Sequence, residues 1–301
     1  MDKITAKNRI IKLSQEINHL RYQYHVLDKP EVTDEVYESL MAELKGLEEQ
    51  FPDLRLPDSP TQRIGGKPLD KFQKVRHLAR QWSFDDVFSL EGLKKWEEKV
   101  QRMMEKVDFL QSSAFPNSSR PQRLSVAMAG AAKPSFSNLE YVAEIKIDGL
   151  KIILNYEKGN FVRGATRGDG VIGEDVTENL KTIQSIPLKI NENISGVFVG
   201  ECWLSKTELQ RINSERKRKG EALFANSRNA AAGSIRQLDP KIASSRKLDS
   251  YIYDIDLLEL SSRLKIPETQ MEELKLLKEL GFNVNKETRL CKTIEEIEKF
   301  Y

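Results

Sequence analysis

The chain has 301 residues, and its hydrophobic content of 39 % is enough to build a core in one large domain or two unequal ones. Its 48 Lys and Arg nearly balance 46 Asp and Glu, so the net charge of +2 neither demands nor excludes a polyanionic partner, and any nucleic-acid contact must be a local patch. The two cysteines, Cys202 and Cys291, exclude a disulfide framework and a four-thiolate zinc site. No signal peptide or run of about 18 apolar residues is present, so we expect a cytoplasmic protein without membrane contact.

Two amphipathic helices are predicted at the amino terminus. The first is indicated by apolar residues at intervals of three and four, namely Ile10, Leu13, Ile17, Leu20 and Tyr24. The second begins at Thr33 and ends before Pro52, with inward side chains predicted at Val36, Leu40, Leu44 and Leu47. Together they predict a small all-helical hairpin.

Two segments without a hydrophobic period divide the chain. Residues 53–70 are rich in Pro, Gly and Asp and predict an extended linker that ends a first domain of residues 1–70. A helix is expected from about Leu90 to Val107, and residues 109–139 then lack acids and are crowded with Ser, Pro, Ala and Gly. This composition predicts a flexible insertion within a second domain of residues 71–301.

The second domain is predicted to be α+β with antiparallel strands. A strand is expected over Tyr141–Ile147, followed by a hairpin whose turn contains Lys158 and Gly159, and further strands lie near 196–204 and 250–258. Helix starts are marked by three capping boxes: Ser205 with Glu208, Thr269 with Glu272, and Thr293 with Glu296. Gly220 and Gly281 fit helix ends.

The last helix carries an apolar face made of Ile294, Ile297, Phe300 and Tyr301. No later residue of the chain can cover this face. We therefore expect the chain to stop short of the natural end of its domain.

Lys146 is the candidate nucleophile. On a strand, Glu144, Lys146 and Asp148 would share one face while Ile145 and Ile147 entered the core. A lysine attacks phosphorus only as the neutral amine, whereas its ordinary pKa of about 10.4 keeps it protonated. Bound Mg²⁺ and nearby arginines would disfavour the ammonium, as in a site for nucleotidyl transfer. The alternative is a solvated strand face with ion pairs worth less than about 1 kcal/mol.

Charged residues that could complete such a site follow downstream: Arg163, Arg167, Glu174, Glu201, Arg228 and Arg236. Gly168–Gly173 also satisfies the G-x-G-x-x-G pattern of dinucleotide-binding folds. A dehydrogenase is disfavoured, because the preceding strands predict an antiparallel hairpin rather than the opening strand of a parallel unit.

Several strings together resemble the adenylation domain of bacterial NAD-dependent DNA ligases: AEIKIDGL, RGATRGDGVIGEDVTENLKTI, GE at 200–201, and FANSRNAAAGSIRQLDPKI. The amino-terminal YQYHVLDKPEVTDEVYESL and PDSPTQRIGG resemble that family's helical domain, which binds the nicotinamide mononucleotide half of NAD. The resemblance implies an ATP-grasp-like nucleotidyltransferase core, NAD and Mg²⁺ as cofactors, and nicked double-stranded DNA as the partner of a monomer in replication and repair.

The resemblance also implies residue roles. Lys146 would attack the α-phosphate of NAD, release nicotinamide mononucleotide and hold AMP, with Asp148 orienting it. Residues around the adenosine would be Ser83, Glu144 and Leu150, and those at the ribose and phosphate would be Arg167 and Glu201. Arg228 and Arg236 would face DNA or the nucleotide. Contacts to nicotinamide mononucleotide would come from Tyr24, His25, Asp34, Tyr37 and Glu38, and no residue is assigned to a metal.

The spacing of Asp34, Tyr37 and Glu38 independently favours one shared helix face. Tyr24 and His25, by contrast, could equally form a packing pair at a helix end.

Some positions depart from the family pattern. Glu38 replaces the usual Asp, and other unusual residues are Trp82, Phe84, Asp86, Lys151, Val199 and Ser227. The chain also ends before the family's D-G-x-V-x-K segment and its OB-fold, zinc-finger, helix-hairpin-helix and BRCT modules. Complete nick sealing by residues 1–301 is therefore not expected.

Three alternatives stay open at this point. The chain could be a degenerate relative that holds NAD or DNA without chemistry, or an ATP-using nucleotidyltransferase such as an RNA ligase or capping enzyme.

The basic run Glu215–Lys219 could be a solvated helix end or a contact to DNA phosphates. His19 and His77 are interpreted as structural, because no metal-ligand spacing joins them.

Overall fold

The computed structural model describes residues 2–27, 29–63, 69–84, 86–112, 139–259 and 265–301. They divide into two compact units: the first comprises Met1–Gln81 and Lys146–Asn285, and the second comprises Trp82–Ile145 and Lys286–Tyr301. The predicted insertion at 109–139 lies almost wholly outside the described residues. The domain boundary near residue 70 stays a prediction. Within the described ranges, every helix is too short or too polar to cross a membrane.

The predicted helical hairpin is confirmed. Helix α1 spans Lys3–His25 and begins at Asp2, whose carboxylate accepts hydrogen bonds from the backbone N–H groups of Ile4 and Thr5. Helix α2 spans Asp34–Gln50. The two helices bury a shared cluster of side chains: Ile10, Leu13, Ile17, Leu44 and Leu47. This cluster is the core of the hairpin.

Two side chains predicted to face that core are exposed instead. Tyr24 is 48 % exposed and Val36 is 46 % exposed. Tyr37 packs against the hairpin core in place of Val36, because one residue further along a helix rotates the side chain by about 100°.

The predicted extended linker is wrong over its first part. Short 3₁₀ helices cover Pro52–Leu54 and Pro60–Arg63. Arg63 is 3 % exposed, and its guanidinium donates to the backbone carbonyls of Lys181, Ile183 and Ile186. The buried Arg63 anchors this segment to residues 181–186, and a search for hydrophobic periodicity cannot detect such a contact.

After the hairpin, the helices and strands follow in the order β1 (Lys74–Arg76), α3 (Leu90–Ser112), β2 (Tyr141–Glu144), β3 (Leu150–Glu157), β4 (Asn160–Thr166), β5 (Ile172–Glu174), α4 (Thr177–Lys181), β6 (Gly196–Trp203), α5 (Lys206–Arg218), α6 (Ser227–Ile235), α7 (Pro240–Ser244), β7 (Asp249–Leu258), α8 (Gln270–Glu279), β8 (Thr288–Cys291) and α9 (Ile294–Phe300). A four-stranded antiparallel sheet has the order β4-β3-β6-β7, and β1 pairs antiparallel with β5. Helices and antiparallel strands are mixed, as the α+β prediction requires.

Local signals in the sequence are confirmed at turns and helix ends. Lys158 and Gly159, with φ of 48° and 79°, form the turn between β3 and β4. Each predicted capping residue accepts the expected backbone hydrogen bond, at Ser205, Thr269 and Thr293. These signals are local, so tertiary packing did not override them.

The core of the first unit contains an aromatic cluster. Tyr156, Phe161, Phe198 and Phe282 pack with ring centroids 4.8 to 5.5 Å apart. The Tyr156 hydroxyl donates to the carbonyl of Pro187 at 2.6 Å, so its buried polar end is satisfied. Side chains of β3 and β6 therefore pack in one shared hydrophobic layer.

In the second unit, β2 pairs antiparallel with β8, and α9 packs against both strands and against α3. The predicted strand over Tyr141–Ile147 is correct only as far as Glu144, where β2 ends. The expectation of an uncovered face on the last helix is wrong for Ile294, which is 3 % exposed. Helix α9, which carries Ile294, packs against β2, β8 and α3, and a single helix pattern does not reveal such packing.

Phe198→Ala is expected to lower the free energy of unfolding by about 3–5 kcal/mol, because it removes a fully buried ring from the aromatic cluster. Phe88, which is 94 % exposed, supplies the matched control, and Phe88→Ala should change stability by less than about 0.5 kcal/mol. Urea unfolding followed by circular dichroism measures both. Equal losses in the two variants would contradict the placement of the core.

Candidate functional site

Lys146 lies in an irregular segment between β2 and β3, not on a strand. Residues 145–148 have no strand partner among the described residues, and Ile145 is 50 % exposed. The predicted common strand face of Glu144, Lys146 and Asp148 is therefore wrong. Lys146 is carried by a loop, which leaves its amine accessible.

This loop is held against β6 by a close backbone approach at Gly149. A Cβ at this position would lie 2.1 Å from the carbonyl oxygen of Cys202, so only glycine fits. The next residue, Leu150, pairs with Cys202 in the sheet, and the backbone N–H of Gly149 donates to the Glu201 carboxylate. The end of the Lys146 loop is thus fixed beside Glu201.

Arg228 connects the loop to the sheet. It sits in the first turn of α6, whose start is capped by Asn226. Its Nη1 atom lies 3.6 Å from Oδ1 of Asp148 and 3.9 Å from Oε1 of Glu201. The Asp148 side chain is 68 % exposed and the Glu201 side chain is 11 % exposed, so Arg228 bridges a solvated carboxylate and a buried one.

Glu201 is the most perturbed acid of this cluster. Burial raises its pKa to about 7, and this rise is opposed by Arg228, by the Gly149 N–H and by the charges of Lys151 and Lys146. The Glu201 carboxyl can therefore take up or release a proton near neutral pH. Such a group beside a candidate nucleophile is typical of an active site.

A second charged layer adjoins Glu201 along the sheet. Lys151 pairs with Glu201 across β3 and β6, and burial together with the nearby Arg167 lowers the Lys151 pKa. Burial and the neighbouring Asp256 raise the pKa of Asp254 on β7. These two aspartates were not among the predicted site residues. Their alternation in the string YDID, which puts both on one face of a strand, was the available signal.

The remaining predicted residues of the site are placed differently. Arg236 pairs with Glu174, with Nε 3.0 Å from Oε2. Leu150 is half-buried at the start of β3. Ser83 and Glu144 belong to the second unit, where Ser83 is exposed and Glu144 ends β2.

The G-x-G-x-x-G segment forms a self-contained loop. Gly168 and Gly170 have φ of 57° and 92°, and the Asp169 carboxylate accepts from the backbone N–H groups of Val171 and Ile172 at 2.8 and 2.7 Å. The donors that would cradle a phosphate in a dinucleotide-binding fold are therefore used by the loop itself. The adjoining β5 is also antiparallel to its partner, so the structure disfavours the dehydrogenase alternative.

A separate cavity of about 470 Å³ collects most of the residues predicted to contact nicotinamide mononucleotide. Tyr24, His25, Asp34 and Tyr37 line it from α1 and α2. The opposite wall is formed by the segment after α4 and by residues around α7, including Thr182, Gln184, Ser185, Lys247 and Asp249. Glu38 is exposed on α2 and does not line the cavity.

The cavity lining carries charges of both signs, with the cations Arg21 and Lys247 and the acids Glu31, Asp34 and Asp249. Arg21 is 4 % exposed and donates to the carbonyl of Gln184, while its Nε has no hydrogen-bond partner among the described residues. Burial lowers the Arg21 pKa to about 10, so the side chain stays a cation near neutral pH. Burial and the charges of Arg21 and Arg63 lower the pKa of His25 to about 4, which leaves a neutral imidazole.

Comparison with known families matches both parts of the chain. Residues 127–301 match the NAD-dependent DNA ligase adenylation domain, and residues 3–65 match the DNA ligase-like, N-terminal NAD+-binding domain.

Similar curated proteins include the DNA ligase of Brevibacillus brevis, 43 % identical over 300 residues, and that of Bacillus subtilis, 45 % identical over 297 residues. The DNA ligase of Acetivibrio thermocellus is 43 % identical over 292 residues. These alignments cover 97 to 100 % of the chain but only 39 to 40 % of each relative.

Glu201→Gln is expected to change how stability depends on pH. In the folded state the Glu201 pKa is about 7, above its ordinary 4.5, so the folded protein keeps a proton that the unfolded chain has released. Ionisation of Glu201 therefore destabilises the fold as pH rises from about 4.5 to about 7.

The unfolding free energy of the unsubstituted protein minus that of Glu201→Gln should fall by about 1–3 kcal/mol between pH of about 5 and about 8. Urea unfolding at several pH values measures this difference. A difference that stays constant would contradict the assigned environment of Glu201.

Proposed function

The chain belongs to the family of NAD-dependent DNA ligases, and from that membership we propose that it forms a nucleotidyltransferase core in which Lys146 accepts adenylate from NAD. The observation that carries this proposal is the cluster of Asp148, Glu201 and Arg228 around the end of the Lys146 loop. A buried carboxyl group and a guanidinium in this cluster, close to an exposed lysine, support the proposal.

In the proposed reaction, the Nζ atom of Lys146 attacks the α-phosphorus of NAD. A phosphorus–nitrogen bond forms, the bond between that phosphorus and the bridging oxygen breaks, and nicotinamide mononucleotide leaves. Lys146 must first lose a proton, and Glu201, with its pKa near 7, is suited to receive it. The guanidinium of Arg228 then offsets negative charge on the transferring phosphoryl group.

Mg²⁺ would supply further neutralisation of phosphate charge. Within the described ranges, no group of three or more His, Cys, Asp or Glu side chains could hold a metal. This fits Mg²⁺, which commonly uses one or two carboxylates together with substrate phosphates and water. Asp148 and Glu201 are the carboxylates of the Lys146 cluster that could serve.

We assign this cavity to the nicotinamide mononucleotide half of NAD. The exposed Lys247 and the Nε atom of Arg21, which has no hydrogen-bond partner within the described ranges, suit a phosphate. The rings of Tyr24 and Tyr37 suit a flat heterocycle, and Asp34 can accept from ribose hydroxyls. Occupation by this group would distinguish NAD from ATP as the adenylate donor.

In the proposed later steps, AMP passes from Lys146 to the 5′-phosphate of nicked duplex DNA, for replication and repair. The chain spans about 40 % of the length of the DNA ligases it matches. Nick sealing is therefore proposed for the whole protein, and adenylation is proposed for residues 1–301.

Lys146→Ala is expected to abolish adenylation. The protein incubated with NAD and Mg²⁺ should gain the mass of one adenylyl group by intact mass spectrometry, and the variant should not, because its nucleophile is gone. Lys12→Ala, on the exposed side of α1, is the matched control and should react normally. An adduct that persists in Lys146→Ala would exclude the assigned nucleophile, and labelling from ATP instead of NAD would exclude the assigned donor.

Asp34→Ala is expected to raise KM for NAD by roughly tenfold or more, because a charged hydrogen bond to a ligand contributes about 1.5–3 kcal/mol. Glu35→Ala is the matched control, since Glu35 also lies in the first turn of α2 but does not line the cavity. Both substitutions remove one acid from the same helix start, so the dipole effect cancels in the comparison. Equal changes in KM would contradict the placement of NAD in this cavity.

A further inference from the structure

We propose that one face of α5 contacts the phosphate backbone of the duplex beside the nick. The α5 track consists of Lys206, Gln210, Ser214 and Lys217, and it ends at the exposed Arg218 and Lys219. The identity of the partner rests on the proposed function, whereas the surface itself is defined by the fold.

The spacing of the α5 track puts its members on one helix face. Lys206, Gln210, Ser214 and Lys217 are separated by four, four and three residues, and all are exposed. The two lysines are about 16 Å apart along the helix axis, at about 1.5 Å per residue. At about 3.4 Å of duplex axis per phosphate of one strand, this length spans about five phosphates of a duplex that lies parallel to α5.

The acids of α5 lie on another side of the helix and are already paired. Arg211 binds both Glu208 and Glu215 through its guanidinium, and it also donates to the carbonyl of Ser245 after α7. These contacts anchor α5 to the unit on the side away from the track. The exposed face is left with cationic and neutral polar side chains.

The α5 track begins at the nucleophile loop. A second cavity, of about 620 Å³, is lined by Asp148 from that loop, by Lys206 and Gln210 from the track, and by Ser227 at the start of α6. Arg228, which pairs with Asp148, is the next residue after Ser227. A strand lying on the track would therefore lead directly to the cluster around Lys146.

The far end of α5 is rigidly joined to α6. The side chain of Asn213 donates to the carbonyl of Phe224 at 3.0 Å and accepts from its N–H at 2.9 Å. The guanidinium of Arg216 lies 4.6 Å from the Phe224 ring centroid. The same ring packs so closely on Gly233 of α6 that a Cβ there would lie 2.8 Å from it. These contacts keep the α5 track in a fixed position relative to Arg228.

The chemistry of the track favours a polyanion over a protein partner. Protein interfaces are centred on aromatic residues, Met and Arg, whereas the α5 track contains no apolar side chain. Lysines and amides spaced along a ridge are suited to phosphates, which they contact without reading the sequence. The solvated-helix-end alternative for residues 215–219 does not account for Lys206 and Gln210 at the other end of the same face.

The test measures binding of a fluorescein-labelled nicked duplex at several KCl concentrations. For Lys206→Ala/Lys217→Ala, the slope of log K against log salt should be shallower by about 2, since two phosphate contacts are lost. Between about 50 and about 200 mM salt, the unsubstituted protein should thus lose about tenfold more affinity than the variant. Lys275→Ala/Lys278→Ala, which neutralises two exposed lysines on α8, is the matched control and should leave the slope unchanged.

Three outcomes would overturn the proposal: an unchanged slope in the track variant, an equal change in the α8 control, or no binding of the nicked duplex at low salt. A track variant whose slope changes only with single-stranded RNA would also overturn it. AMP adduct formation from NAD, measured on the same samples by mass spectrometry, separates this result from the proposed function, because neither Lys206 nor Lys217 is assigned a role in adenylation. Normal adducts with an unchanged salt slope would reject the track and keep the adenylation proposal.

Discussion

The close approach of Gly149 to β6 is the constraint on which the proposed active site depends. A side chain at this position would collide with the carbonyl of Cys202, so only glycine fits. The backbone N–H of Gly149 donates to the buried carboxylate of Glu201. The pairing of β3 with β6, in which Leu150 lies opposite Cys202, keeps this contact in place. Arg228 adds the cation, from a helix far along the chain. The loop thus presents Lys146 near the carboxyl group of Glu201.

Two buried arginines hold the walls of the cavity together, as Gly149 holds the Lys146 loop against β6. Arg21 and Arg63 both donate to backbone carbonyls within residues 181–186, so they join the amino-terminal hairpin to the chain after α4. Removing a guanidinium from water is costly, and carbonyls compensate the charge only in part. Burial, with the charges of these two arginines, keeps His25 neutral. The same two side chains therefore contribute to assembly of the unit and to the protonation state of a residue that lines the cavity.

Helix α5 shows how a chain with a net charge of only +2 can present a basic surface. Its acids face Arg211 and the body of the unit, and its lysines face outward. The helical period decides which charged side chains share a face, because residues three and four positions apart are neighbours. The amino-acid composition averages over the two faces of the helix, so it does not reveal that acids and lysines lie on different sides.

Periodicity and hydrogen bonds within a few residues are enough to predict the local features, namely the helical hairpin, the turn at Lys158 and Gly159, the capping residues and the α+β class. Family-specific strings also named Asp148, Glu201 and Arg228, which the fold brings together. The position of Lys146 on a loop, the burial and raised pKa of Glu201, and the charges of Asp254 and Asp256 near Lys151 emerge only from the folded chain. These properties depend on desolvation and on contacts between residues distant in the chain, which no local pattern contains.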